Sequence, residues 1–103
     1  MIEHVFKIAS GNNKAVEKIV QDENVHYIHM IFNKNKGLPE HFSNSNVYMT
    51  VVRGNLSITL DNQDTHEYPA FSLLKIPMGI KMNVRNISEE TLELIVVKAP
   101  APK

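Results

Sequence analysis

A chain of 103 residues with 43% apolar side chains is long enough to build one compact domain with a real core and too short for two. Its 11 Lys and Arg balance its 11 Asp and Glu. That excludes the broad positive field that would draw nucleic acid or an anionic membrane as partner, although not a local basic patch. The absence of cysteine excludes disulfides, thiolate catalysis and Cys-based zinc sites, and it fits a reducing, cytoplasmic setting.

The opening residues, Met1 to Lys7, have neither a basic leader nor a long apolar run. No stretch approaches the roughly 18 to 20 apolar residues of a membrane span. Residues 2–8 read as a first strand. Val16, Ile19 and Val20 then fall on one helical face, with Asn12 or Asn13 as a cap, which predicts one short N-terminal helix of about two turns. A strand follows over residues 25–32, and the polar run Phe42-Ser43-Asn44-Ser45-Asn46 reads as a loop. Val47, Met49 and Val51 alternate with Tyr48, Thr50 and Val52. Arg53-Gly54-Asn55 turns the chain, and Leu56, Ile58 and Leu60 alternate with Asn55, Ser57 and Thr59. Asp61 to Asp64 forms a hairpin tip. Strands are then expected over 72–76, over Lys81 to Arg85 with Met82 and Val84 on one face, and over 91–98 after a turn at Ser88-Glu89-Glu90.

Many short strands with frequent turns predict an all-β sandwich or barrel. The expected organisation is a single barrel domain over 1–98 and a short Pro-rich tail over 99–103. Pro100 and Pro102 cannot donate to a sheet there.

The run from Ile76 to Asn86 carries the strongest motif. Pro77, Gly79 and Asn86 have the spacing Pro-x-Gly-x-x-His-x-x-x-Asn, with Met82 in place of the histidine. Upstream lie Gly37, His41, Ser43, Val47 and Gly54 in the order of a first motif, to which the Pro77 to Asn86 run is the second. With these residues the chain resembles the cupin superfamily, the RmlC-like jelly rolls. The resemblance implies a cupin β-barrel. It also implies a metal site built, in metal-binding members, from two histidines and a glutamate of the first motif and the histidine of the second. Carried over residue by residue, only His41 matches. Ser43 stands at the second histidine, Val47 at the glutamate and Met82 at the last histidine, so the metal site is degenerate. A glycine that usually opens the second motif falls at Phe71.

Serine, valine and a thioether are poor substitutes for the N and O donors that transition metals need within about 2.0 to 2.2 Å. No metal and no cofactor is therefore expected, the alternative being a single divalent transition metal. Weak candidates for such a site are His41, His26 and His29. On a strand, a spacing of three puts His26 and His29 on opposite faces, so the two cannot easily share one ion. The expected ligand pocket is His41, Val47, Tyr48, Met49, Met82 and Val84, an apolar interior with one polar group. Methionine suits such a pocket and serves equally well as core filler. His41 reads as a hydrogen-bonding or basic group in the pocket, or as a histidine satisfied at the barrel mouth. Lys81 and Arg85 read as a solvated strand face or as a charged rim.

Three functions stay open at this point. The first is a non-catalytic cupin binding a small, partly apolar molecule. The second is a metal-dependent cupin enzyme of dioxygenase or isomerase type with a rebuilt histidine site. The third is a dimeric interaction module, since a homodimer is expected. No catalytic residue can be named.

Overall fold

The structure, a computed structural model, describes all residues from Met1 to Lys103. Nine strands run in chain order: β1 (Ala15–Gln21), β2 (His26–Phe32), β3 (His41–Phe42), β4 (Val47–Arg53), β5 (Asn55–Leu60), β6 (His66–Pro69), β7 (Leu73–Ile76), β8 (Lys81–Arg85) and β9 (Leu92–Lys98). They form two antiparallel sheets, a five-stranded one in the order β1-β2-β9-β4-β7 and a four-stranded one in the order β3-β8-β5-β6. Each sheet turns one apolar face inward, as period-two alternation requires. β2 contributes Ile28, Met30 and Phe32, β4 contributes Val47, Met49 and Val51, and β9 contributes Leu92, Leu94 and Val96. From the opposite sheet come Leu56 and Ile58 of β5 and Met82 and Val84 of β8.

Two expectations at the N-terminus are overturned. The predicted short helix around Val16, Ile19 and Val20 is strand β1, paired along its length with β2. The register breaks between Lys18 and Val20, a β-bulge that inserts Ile19. The insertion slips the alternation and leaves three apolar residues at a spacing that mimics a helical face. All three are β-branched and suit a pleated surface better than a helix. Residues 2–8 form no strand, and Ile2, Val5, Phe6 and Ile8 are exposed. A strand needs a neighbour for its backbone N–H and C=O groups, and this segment has none within the chain.

β3 and β6 escape a pattern reading because they are short, polar edge strands. Pro69 closes β6 at the sheet edge, where a missing donor costs little. The tail follows no strand, yet it is tied down: Ala99 N donates to Asn46 O at 3.1 Å and Ala101 N to Asn24 O at 3.1 Å. Ser45 Oγ also donates to Pro100 O.

Candidate functional site

The loop from β2 to β3 sets the position of His41. Gly37 presses directly on β8: a Cβ there would lie 2.1 Å from Val84 O, so no other residue fits without moving backbone. Leu38 N then donates to the same Val84 O at 3.0 Å, and the Leu38 side chain packs on the core. Pro39 turns the chain into β3, where His41 pairs with Met82 of β8. Paired residues share a face, so His41 stands on the inner side at the rim, in the Met82 row. His41 Nδ1 lies 2.8 Å from Pro39 O. A carbonyl only accepts, so Nδ1 carries the proton there and Nε2 of the neutral ring keeps a lone pair.

His41 lines a cleft of about 260 Å³ at one end of the barrel. Its walls are Val16 and Lys18 of β1, Ile28 and Met30 of β2, Leu38 and Pro39 of the loop, and Lys98 at the end of β9. The bottom is apolar and continuous with the core through Ile28 and Met30. Lys98 Nζ donates to Asn44 Oδ1 at 3.1 Å. Burial, and secondarily the charge of Lys18, hold the Lys98 ammonium below its ordinary value near 10.5. The other concavities lack this combination. One, of about 370 Å³, lies between the tail and residues 44–46, one of about 470 Å³ is walled only by polar and charged residues, and one of about 150 Å³ beside Lys75, Ile76 and Ile80 carries Asp61 and no histidine.

The remaining expected pocket residues are placed differently. Val47, Met49, Met82 and Val84 are packed inside the core, each at most 3% exposed. Tyr48 alternates onto the opposite side of β4 from Val47 and Met49, with Lys75 Nζ 5.8 Å from its ring centre. His26 shares the inner face of β2 and stands opposite Lys98, and Lys98 pairs on its other side with Val47.

The residues at the family's metal positions do not fit a metal. Ser43 is a structural staple: its Oγ donates to Pro77 O at 2.7 Å and accepts from Ile80 N at 2.9 Å. Val47 and Met82 offer no hard donor. Nowhere in the structure do three His, Asp or Glu side chains converge as a metal site.

His29 does other work. It points to the outer side of the five-stranded sheet and is fully buried. Its Nδ1 lies 2.8 Å from Glu17 Oε1 and its Nε2 lies 2.6 Å from Glu93 Oε2. Carboxylates only accept, so with both acids ionised the ring must donate from both nitrogens as an imidazolium. Glu93 Oε1 in turn faces Arg53 Nε at 3.2 Å. The Arg53 guanidinium donates to Asn12 Oδ1 at 2.8 Å and to Gly11 O at 2.6 Å, and Ala9 N donates to Glu17 Oε1 at 2.9 Å. This chain of charges fastens residues 9–12 to the outside of the sheet. The hydrogen bond from His29, and secondarily that from Ala9 N, hold the Glu17 carboxyl below its ordinary value near 4.5.

A two-sheet antiparallel barrel with this motif order is the architecture of a cupin. The chain matches no family model. It is 36% identical to an uncharacterized protein of Methanocaldococcus jannaschii, over all of this chain and 90% of that one. The crystal structure of an RmlC-like cupin family protein with a double-stranded β-helix fold from that organism superposes with a TM-score of 0.96 at 36% identity, covering 99% of this chain and 94% of the other. A cupin superfamily protein of Desulfitobacterium hafniense shares the fold at a TM-score of 0.76 and 14% identity, covering 90% of this chain and 83% of that one. The chain belongs to the RmlC-like cupin family. No helix of the protein is long and apolar enough to cross a membrane.

Proposed function

We propose that this cupin binds a small, partly apolar organic molecule in the cleft beneath His41, without a metal and without catalysing a reaction on it. One observation carries the reading: the family's metal positions are filled by a staple and by core side chains, while an open cleft with an apolar bottom remains beside the one retained histidine. The cleft's size suits a ligand of one aromatic ring or a short alkyl chain, and His41 Nε2 offers an acceptor. The absence of cysteine supports a cytoplasmic setting.

The test is saturation-transfer NMR with a library of small aromatic and short alkyl fragments, on the native chain and on Val16→Trp. Val16 is 47% exposed at the cleft wall, so the indole can be accommodated without disturbing the core. Fragment binding that disappears in V16W supports the reading. Binding that survives V16W unchanged places the ligand elsewhere and sinks it. A metal-dependent turnover abolished by His41→Ala would favour the enzyme alternative instead.

A second reading, a homodimer, is favoured by the N-terminal arm. Residues 1–8 carry Ile2, Val5, Phe6 and Ile8 at 98%, 73%, 53% and 43% exposure, while residues 9–12 are clamped to the sheet. The outer face beside that clamp also shows Leu73 at 65% and Val52 at 37% exposure. An apolar arm anchored by a charge network beside exposed apolar residues suits a second copy of this chain. Sedimentation of the chain with and without residues 1–8 tests it: the arm's removal is expected to give monomers, and an unchanged species would reject the arm as the contact.

A further inference from the structure

We infer that the ligand of the cleft carries an anionic head group, a carboxylate or a phosphate ester, seated between Lys18 and Lys98. The inference rests on the small-molecule reading above and assigns the chemical class of that ligand.

The chain as a whole is neutral, yet the cleft is not: Lys18 and Lys98 line it and no Asp or Glu does. His26 stands directly opposite Lys98 in the strand register. Neither lysine forms an ion pair with a carboxylate. The lysine that does, Lys34, sits on Glu89 far along the chain from the cleft. Glu17, the acid nearest Lys18 in sequence, points to the opposite face of β1 and is committed to His29. The only partner of Lys98 is the neutral Asn44 amide. Two ammonium groups near one another, one of them partly desolvated, disfavour each other unless an anion joins them. Burial first, and the charge of Lys18 second, lower the proton affinity of Lys98.

The geometry makes the pair selective rather than merely sticky. Lys18 of β1 stands opposite Ile28 of β2, and Lys98 at the end of β9 stands opposite His26, one inner-face position along β2 from Ile28. Lys18 is exposed and Lys98 half-buried at a cleft whose other walls include Val16, Ile28 and Met30, and long basic side chains can lay apolar stems on such surface while the charge stays in water. A ligand therefore meets cations at the opening and Ile28 and Met30 at the bottom. That is the arrangement for an amphipathic acid entering apolar end first. A charge-assisted contact from a partly desolvated ammonium is stronger than one from a neutral donor.

The experiment compares hydrocinnamate, hydrocinnamyl alcohol and phenyl phosphate as probes, by titration monitored at the methyl resonance of Met30. The acid and the alcohol differ only at the head group. The acid is expected to bind about tenfold more tightly than the alcohol, a step of about 1.4 kcal/mol. Lys98→Met and Lys18→Met, which keep the apolar stem, should each shrink that preference while leaving the affinity for the alcohol unchanged. Lys98→Arg should retain it. Phenyl phosphate binding that weakens in both Met variants extends the head-group class to phosphate esters, and absence of phenyl phosphate binding restricts it to carboxylates. Equal affinity for acid and alcohol, or a preference that persists in both Met variants, overturns the anion inference and leaves the small-molecule reading standing. If no probe shifts Met30, both fall. K18M guards against misfolding as an explanation, since Lys18 is exposed.

Discussion

Replacing Asn86 by Ala should destabilise the barrel by about 2 to 4 kcal/mol. Asn86 is fully buried. Its Nδ2 donates to Phe32 O at 2.9 Å and to Glu90 O at 2.8 Å. Its Oδ1 accepts from Ser88 N at 3.0 Å and from Ser88 Oγ at 3.1 Å. One side chain thus joins the end of β2 to the turn between β8 and β9. A neutral hydrogen bond contributes about 0.5 to 1.5 kcal/mol net, and a buried group left unpaired costs about 1 to 3 kcal/mol. The contact to Phe32 O dominates the total because it is buried, whereas those to Glu90 and Ser88 are only partly buried. The main-chain bonds of Asn86, to Lys36 O and from Asn35 N, survive the substitution and hold the loop that leads to His41. Asn86→Asp should cost at least as much as Ala at neutral pH, since it turns an acceptor toward two carbonyl oxygens. Urea denaturation followed by circular dichroism measures both, with the slope checked for constancy. A cost below about 1 kcal/mol for Asn86→Ala would refute the claim that this residue staples the turn.

Phe71 occupies left-handed backbone, with φ at 73° and the ring 92% exposed, at the position where the cupin motif has glycine. A non-glycine residue there costs about 1 to 2 kcal/mol, partly offset by the larger chain entropy that glycine loses on folding. Phe71→Gly should therefore raise stability by about 0.5 to 1 kcal/mol, read as a higher urea midpoint; a lower midpoint would contradict it. The depressed Glu17 carboxyl makes stability pH-dependent with a definite sign: its contribution is present above the unfolded value near 4.5 and is lost as pH falls through the lower folded value. Asp22, held down first by Val25 N–H and then by Asn24 N–H, adds to the same acid limb. Glu17→Gln should flatten that limb and speed hydrogen exchange at the Ala9 amide, and an unchanged acid profile would remove Glu17 from the account. Met82→His restores the family's residue type without restoring its partners, and it buries an imidazole in apolar surroundings. It should lose stability by about 1 to 3 kcal/mol and gain no zinc, as calorimetric titration with zinc would show.

The strands with clean alternation were legible because each buries one face against a single core. β4, β5, β8 and β9 follow the pattern of their apolar residues closely. β1 was not legible, because a bulge broke its period and imitated a helix. That misreading also hid half of the cleft. Val16 and Lys18 share a face only once the segment is a strand, and their meeting with Ile28 and Met30 depends on the pairing of β1 with β2. Lys98 gave no signal at all, since its neighbours at the site come from distant parts of the chain. His41 was legible through the motif. His29 could be placed opposite His26 by strand spacing, but its two carboxylate partners come from β1 and β9 and no local pattern announces them. Serine at position 43 reads as a missing ligand in sequence and proves to be a hydrogen-bonded staple in space.

The proposed function requires that this cupin hold no resident metal and keep a cavity for an organic ligand. Elemental analysis per mole of untagged chain, after incubation with zinc, nickel, manganese and iron(II) and removal of free ions, is the measurement to make. No stoichiometric transition metal is expected. A near-equimolar metal that is lost in His41→Ala would contradict it and show that the histidines rebuild a site.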